Sequence, residues 1–236
     1  MTVAMDLVIL GAGGFARETV AAVAAVNAVR PTWRLLGFLD DDPSLHATTR
    51  MGVAILAGLD ALADLPERTA IVVCVGNPRD PAARARVVHR VGLGADRYAT
   101  VVHPTASVGP DSLVGPGSVL LAHTVLTATV NVGAHVAVMP HVVLTHDDVV
   151  EDFATIASGV RLGGGVLVRQ GAYVGAGALV RESVRIGEAS LVGMGSVVLR
   201  DIPPRQVWAG NPARYLGEVA SPVSSPSGVK QGSEQL

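Results

Sequence analysis

The stretch from Val102 to Val138, VHPTASVGPDSLVGPGSVLLAHTVLTATVNVGAHVAV, repeats itself every six residues. Steps of six from Val102 reach Val108, Val114, Leu120, Leu126, Val132 and Val138. They continue through Leu144, Val150, Ile156, Leu162, Val168, Val174, Val180, Ile186 and Val192 to Val198, and every one is Val, Leu or Ile. Two positions before the aliphatic residue stands a small or β-branched one, as at Ala106, Ser112, Ser118, Thr124, Val130, Val136 and Val142. Glycine often follows it, as at Gly109, Gly115, Gly133, Gly163, Gly175, Gly187 and Gly193. A period of six matches neither the 3.6 of an α-helix nor the 2 of a long strand. It matches short strands joined by tight corners, three to a triangular coil, stacked as a left-handed parallel β-helix of hexapeptide repeats. All seventeen aliphatic residues are expected inside. The glycines, with Pro104, Pro110, Pro116 and Pro140, are expected at corners that need unusual backbone angles.

Upstream of the repeat the pattern changes. Apolar runs at Asp6–Leu10, Arg34–Leu39, Ala70–Val75 and Tyr98–Val102 read as strands, and segments near Ala16–Val29 and Pro81–Val91 read as helices. Strands alternating with helices predict an α/β, Rossmann-like domain on a parallel sheet with right-handed crossovers. The chain divides into a Rossmann-like domain over 1–100, the β-helix over 101–217 and a disordered tail over 218–236 rich in Ser, Gly and Gln. The first strand ends in G-x-G-x-x-A, as Gly11, Gly13 and Ala16. Glycines there admit a phosphate to the backbone, and the helix N-terminus presents amides to it. Asp40, ending the second strand, suits a ribose hydroxyl. A merely structural turn and a dinucleotide site are the competing readings of this motif, though 95 residues or so are short for a full dinucleotide fold.

Composition narrows the classes further. Among 236 residues 49% are hydrophobic, 16% charged and 3% aromatic, so the core must be built from thin layers of Val, Leu, Ile and Ala. A net charge of −2 argues against nucleic-acid and anionic-membrane partners. A single cysteine, Cys74, excludes an internal disulfide framework and a cysteine-built zinc site. The first apolar run is broken by Gly11, Gly13 and Gly14 and reads as a strand rather than a signal peptide, and no 18-residue apolar span is present; a cytoplasmic location is expected. A flat-sided prism poor in charge is expected to cover a face against copies of itself, and closed symmetry makes that a homotrimer.

Taken together, the opening Gly-Ala-Gly-Gly, the Phe38–Asp42 stretch, Val75-Gly76-Asn77, Val102-His103-Pro104, His146-Asp147 and the ending Ala209–Arg214 are similar to one family. From residue 5 to about 217 the chain resembles the bacterial sugar acyltransferases of the sialic acid O-acetyltransferase and UDP-4-amino-sugar N-acetyltransferase family. That resemblance implies an acetyl-coenzyme A-dependent acetyltransferase acting on a nucleotide-linked amino sugar, or on a sugar hydroxyl, with acetyl-coenzyme A as co-substrate and no metal. It implies His146 as general base, Asp147 as its orienting acid and Gly164 as amide donor to the acyl oxygen. It further implies a nucleotide-sugar site from Gly11, Gly13, Gly14, Phe15, Asp40, Asp41, Gly76 and Asn77. The chain departs from the family pattern at three places: Asp148 stands where cysteine is common, and Thr155 and Phe15 stand where histidines are common. Thr155 is thereby assigned beside the acetyl group.

The chemistry fits those residue types. Acetyl transfer needs a base near neutral pH, which histidine supplies, and a carboxylate beside it fixes the tautomer and supports the imidazolium. Arg169, Arg181, Arg185 and Arg200 on the later coils are candidates for coenzyme phosphates, since guanidinium matches phosphate oxygens. His103 and His135 read as structural histidines. His123 and His141 stand eighteen residues apart at equivalent corners and are expected to stack or share a water. The His141-x4-His146 spacing is also similar to part of the γ-class carbonic anhydrase zinc site, so a zinc lyase is one alternative function. A non-catalytic sugar-nucleotide-binding protein is another.

Overall fold

The computed structural model describes residues 4–78 and 80–220. Most of the stretch expected as a tail lies outside these residues. The first domain runs β1 (Met5–Leu10), α1 (Gly14–Val29), β2 (Trp33–Leu39), β3 (Thr49–Arg50), β4 (Val53–Ala57), β5 (Ala70–Val73) and α2 (Ala83–Val91). Its sheet has the order β3-β4-β2-β1-β5. β4, β2, β1 and β5 run parallel, as the alternation of strands and helices requires, but β3 pairs antiparallel with β4. This hairpin was not anticipated. It turns at Met51-Gly52, both at positive φ, the conformation that matches the twist of a tight hairpin. The expected last strand, Tyr98–Val102, is divided: Tyr98 makes one parallel bridge to Ile71, and Val101–Val102 opens the β-helix.

Seventeen two-residue strands follow at six-residue intervals, from β6 (Val101–Val102) to β22 (Val197–Val198). They stack into three parallel faces. The first face holds β6, β9, β12, β15, β18 and β21, the second β7 through β22, and the third β8 through β20. β23 (Gln206–Gly210) extends the first face and folds back onto β24 (Ala213–Glu218), so ordered pairing reaches Glu218, one residue into the stretch expected as tail. No loop interrupts the coils. Among the described residues no helix is long and apolar enough to cross a membrane.

The interior is the aliphatic column that the six-residue step traces, from Leu120 to Val198, with Val130, Val136, Val142, Val160 and Val166 beside it. Val108 differs: it is 38% exposed, because its strand is the outermost of the second face and no rung covers it. The corner glycines have a different reason from the expected one. Residues at positive φ recur every six positions from Gly117 through His123, Thr129, His135, His141, Asp147 and Phe153 to Gly195. That is the third position after the aliphatic residue, and many occupants are not glycine. Gly163, Gly175 and Gly187, directly after it, are glycine because a Cβ would meet the backbone of the next coil, at 2.7 Å for Gly163 against the Glu182 amide nitrogen. At these three positions the backbone of the next coil leaves no room for a side chain.

The two domains share one core. Leu7, Ile9, Ala16, Phe38 and Ala99 of the first domain pack with Val101, Val119 and Leu121 of the β-helix. Phe15 and Met139 close its edge. The sheet domain is therefore seated on the upper part of the first face.

Candidate active site

The second-to-third-face corner carries His146 and Asp147. Asp147 takes the left-handed backbone conformation (φ 64°), which aspartate tolerates better than most residues. Its carboxylate then returns to its neighbour: His146 Nδ1 lies 2.9 Å from Asp147 Oδ2. Cε1 and Nε2 are the ring atoms nearest the Gly164 turn, and both side chains are exposed, at 68% and 64%. One coil below, Gly164 occupies the matching place. A Cβ on Gly164 would collide with the His146 imidazole, so the ring lies directly over this glycine. The strand register holds the two turns together, with the Gly165 amide donating to the His146 carbonyl at 2.9 Å. Among the described residues no backbone group accepts from the Gly164 amide. The His146 imidazole, the Asp147 carboxylate and the Gly164 amide thus meet on one edge of the prism.

The arginines divide among the edges. Arg181 and Arg200 follow His146 and Gly164 down the same corner on successive rungs, and Arg185 begins the third face beside it; all three are exposed. Arg169 stands at a different corner and is paired with Glu151 at 2.8 Å. Its charge is already engaged within the chain.

The residues expected to form one nucleotide site are distributed. Gly13, Gly14 and Asp40 line an open cleft of about 750 Å³ with Ala12, Arg17, Asp42 and Arg50. Phe15 and Gly76 line another, of about 300 Å³, with Arg84, Met139, Thr155 and Tyr173. Gly11, at φ 93°, is buried against the Cys74 carbonyl, where a Cβ would stand 3.2 Å from the oxygen. Asp40 accepts the Ala12 amide at 2.8 Å and the Asp42 amide at 3.0 Å, so both its oxygens brace the turn. Asp41 points to the other side, accepting the Leu59 amide and pairing with Arg90, which keeps its carboxyl below the usual range. Asn77 lies in the turn that follows Gly76.

Arg84, which carries no signal in the sequence, organises the second cleft. It is 3% exposed. Its Nη2 donates to the carbonyls of Phe153 and Ala154 at 2.9 and 3.0 Å and to Thr155 Oγ1 at 2.8 Å, and its Nη1 donates to the Val75 carbonyl at 3.2 Å. The guanidinium carbon stands 5.9 Å from the centroid of the Phe15 ring. Burial lowers its pKa to about 10, so it stays charged at neutral pH. Because Arg84 occupies the Thr155 oxygen as acceptor, the hydroxyl proton is free to donate into the cleft. The two positions where the family carries histidine, Phe15 and Thr155, thus lie together in one cleft.

This cleft opens on the first face, whereas His146 and Gly164 stand on the edge opposite that face. One chain does not bring the two groups together. Several histidines outside the His146–Asp147 pair pack against other rings. His123 and His141 stack at the first-to-second-face corner, 5.0 Å between centroids and 23° between planes. His141 and His146 therefore stand at different corners of the same chain, despite their close spacing in sequence. His135 is sandwiched in the domain junction, stacked on Phe153 at 5.2 Å and edge-on to Tyr98 at 4.5 Å.

Comparison with known proteins agrees with this architecture. Residues 6–91 match a family model described as the PglD N-terminal domain. The acetyltransferase domain of PglB from Neisseria gonorrhoeae FA1090, in complex with acetyl coenzyme A, is 27% identical with a TM-score of 0.78, over 91% of this chain and 100% of that one. A variant of perosamine N-acetyltransferase from Caulobacter crescentus, in complex with CoA and GDP-perosamine, is 27% identical with a TM-score of 0.79, over 90% of this chain and 97% of that one. WeeI from Acinetobacter baumannii AYE gives 27% and 0.77, over 90% and 100%. No match was found among curated proteins. With the His146–Asp147 pair on its β-helix corner and the PglD-type domain seated on the first face, the chain is similar in fold and domain order to bacterial sugar acetyltransferases built on a hexapeptide-repeat β-helix, which supports an acyltransferase.

Proposed function

We propose that the protein transfers the acetyl group of acetyl-coenzyme A to the amine of a nucleotide-linked amino sugar, with His146 as general base. The observation that carries this reading is the His146–Asp147 pair held directly over Gly164. The solved relatives that bind coenzyme A and a nucleotide-linked amino sugar support it. In this reading Nε2 of His146 removes a proton as the amine attacks the thioester carbonyl. Asp147 fixes the tautomer and supports the imidazolium. The Gly164 amide receives the developing oxyanion, and the thiolate departs and is protonated. Arg181, Arg185 and Arg200 face the coenzyme phosphates. The open cleft at Gly13 and Gly14, flanked by Arg17 and Arg50, receives the acceptor's diphosphate at the N-terminus of α1.

The two groups on opposite sides of the prism are joined by a second copy. In a homotrimer, the His146 edge of one protomer enters the cleft formed by Phe15, Arg84 and Thr155 of the next. Thr155 then donates its hydroxyl hydrogen beside the acyl group. The deciding experiment is a panel of UDP-, dTDP- and GDP-linked amino sugars with acetyl-coenzyme A, following thiol release and identifying the acetylated atom. His146-dependent N-acetylation of one of them is expected. O-acetylation would move the reading to the sugar hydroxyl, and turnover retained by His146→Ala would refute the base.

A further inference from the structure

Within the β-helix, every pairing of one short strand with the next carries two residue pairs, except that of β13 (Val143–Leu144) with β16 (Arg161–Leu162), which keeps Val143 opposite Arg161 alone. The missing contact is specific. The residue after each inward aliphatic donates its amide to the aliphatic carbonyl one coil on, as Thr127 does to Leu144 and Gly163 to Val180. Thr145, immediately before His146, does not. Its amide donates instead to Asp148 Oδ2 at 2.7 Å, and its hydroxyl takes over the Leu162 carbonyl at 3.0 Å.

Asp148 is itself out of keeping with its surroundings. It is fully buried in an interior column otherwise made of Ser112, Val130, Val166 and Val184. Its other oxygen accepts the Val166 amide one coil down at 2.8 Å. Thr145 borders His146, and Val166 follows Gly164 and Gly165. One buried carboxylate therefore joins the turn bearing the base to the turn bearing the amide donor. Burial raises its pKa to about 7, against the pull of its two amide hydrogen bonds and of His146. A group destabilised in this way is a poor choice for holding a core together.

We infer that Asp148 is a positioning residue for the reaction: it replaces a ladder hydrogen bond and so sets the His146 ring at its working distance from the Gly164 amide. The inference rests on His146 acting as base. Its test is Asp148→Ser in the full-length protein, with Thr145→Val as the second variant. A serine suits this column, where Ser112 accepts the Val130 amide at 3.1 Å. It would keep the Val166 bond and release the Thr145 amide to the regular ladder. Expected is a melting temperature at pH 8 equal to or above that of the parent, an unchanged KM for acetyl-coenzyme A, and a kcat lower by about 10- to 100-fold, the scale of a displacement near 1 Å. In a His146→Ala background the same substitution should cost nothing further. Thr145→Val should lower kcat in the same direction, and it decides the matter if Asp148→Ser does not fold. The inference is overturned if kcat stays within about twofold while His146→Ala is inactive, or if the loss persists undiminished without His146. If His146→Ala itself stays active, the base assignment has failed instead.

Discussion

Arg84, on the second helix of the first domain, donates to the Thr155 hydroxyl of the β-helix across 2.8 Å. The same guanidinium is bonded to three backbone carbonyls, two of them in the β-helix, so it is both a bolt between domains and a support for the cleft. Replacing it with methionine should remove the bolt but keep most of the packing volume. Hydrogen bonds to a charged partner are worth about 1.5–3 kcal/mol each, so the junction should lose about 3 kcal/mol or more. Calorimetry should then show two transitions where the parent shows one. A single transition at the parental temperature would show that Arg84 does not join the domains.

Gly164→Ala puts a methyl where the His146 ring now lies. Gly164 is not among the residues at positive φ, so the backbone accepts alanine and the ring must move. Expected are a melting temperature close to that of the parent and a kcat lower by about 100-fold. Unchanged kcat would mean that the ring has a second productive position.

His135 supplies a pH dependence. It is 6% exposed, and burial beside the positive charge of Arg84 lowers its pKa to about 4 from the ordinary 6.5. Its Nδ1 has no partner among the described residues. The unfolded chain binds the proton between these values and the folded chain does not, so stability falls as pH drops from about 6.5 to about 4. The loss through this one ring is on the order of 3 kcal/mol. Denaturant titrations at pH 7 and pH 4.5 should show it, and His135→Phe should flatten the difference. Equal slopes in the two proteins would assign the acid sensitivity elsewhere.

The proposed site, divided between opposite sides of the prism, leads to a mixing experiment. His146→Ala keeps an intact first-face cleft, and a variant altered at Thr155 keeps an intact dyad. Co-refolded in equal amounts, the two should give back activity that neither has, up to about a quarter of the parental value for random closed trimers. No recovery, with trimers shown by light scattering, would place the whole site within one chain.

The β-helix was legible because its period is written in the inward aliphatic residues themselves, from Leu120 to Val198. The dyad was legible because its two members are adjacent in sequence, at a corner where side chains must point outward. Arg84 was not. It lies on a short helix among other arginines, and its contacts are 69 to 71 residues away. The separation of Asp41 from Asp40 was hidden for a related reason. Consecutive residues leaving a strand point to opposite sides, and only the position of Arg90 and Leu59 shows what the second one meets. The corner glycines were recognised as a pattern, but their reason is the proximity of the next coil, which no single hexad reveals.

The uninterrupted stacking of the coils makes the protein a ruler with equal divisions. Each eighteen-residue coil advances the chain by one rung, about 4.8 Å, and returns every residue to the same edge. The distance from His146 to the closing hairpin of β23 and β24 can therefore change only in whole steps. Duplication of a coil below Gly187 would lengthen the edge on which the arginines stand and leave the reacting groups untouched. Loss or gain of a single hexad would be of another kind. It would turn everything beyond it by a third of a circle and carry Arg200 to a different face.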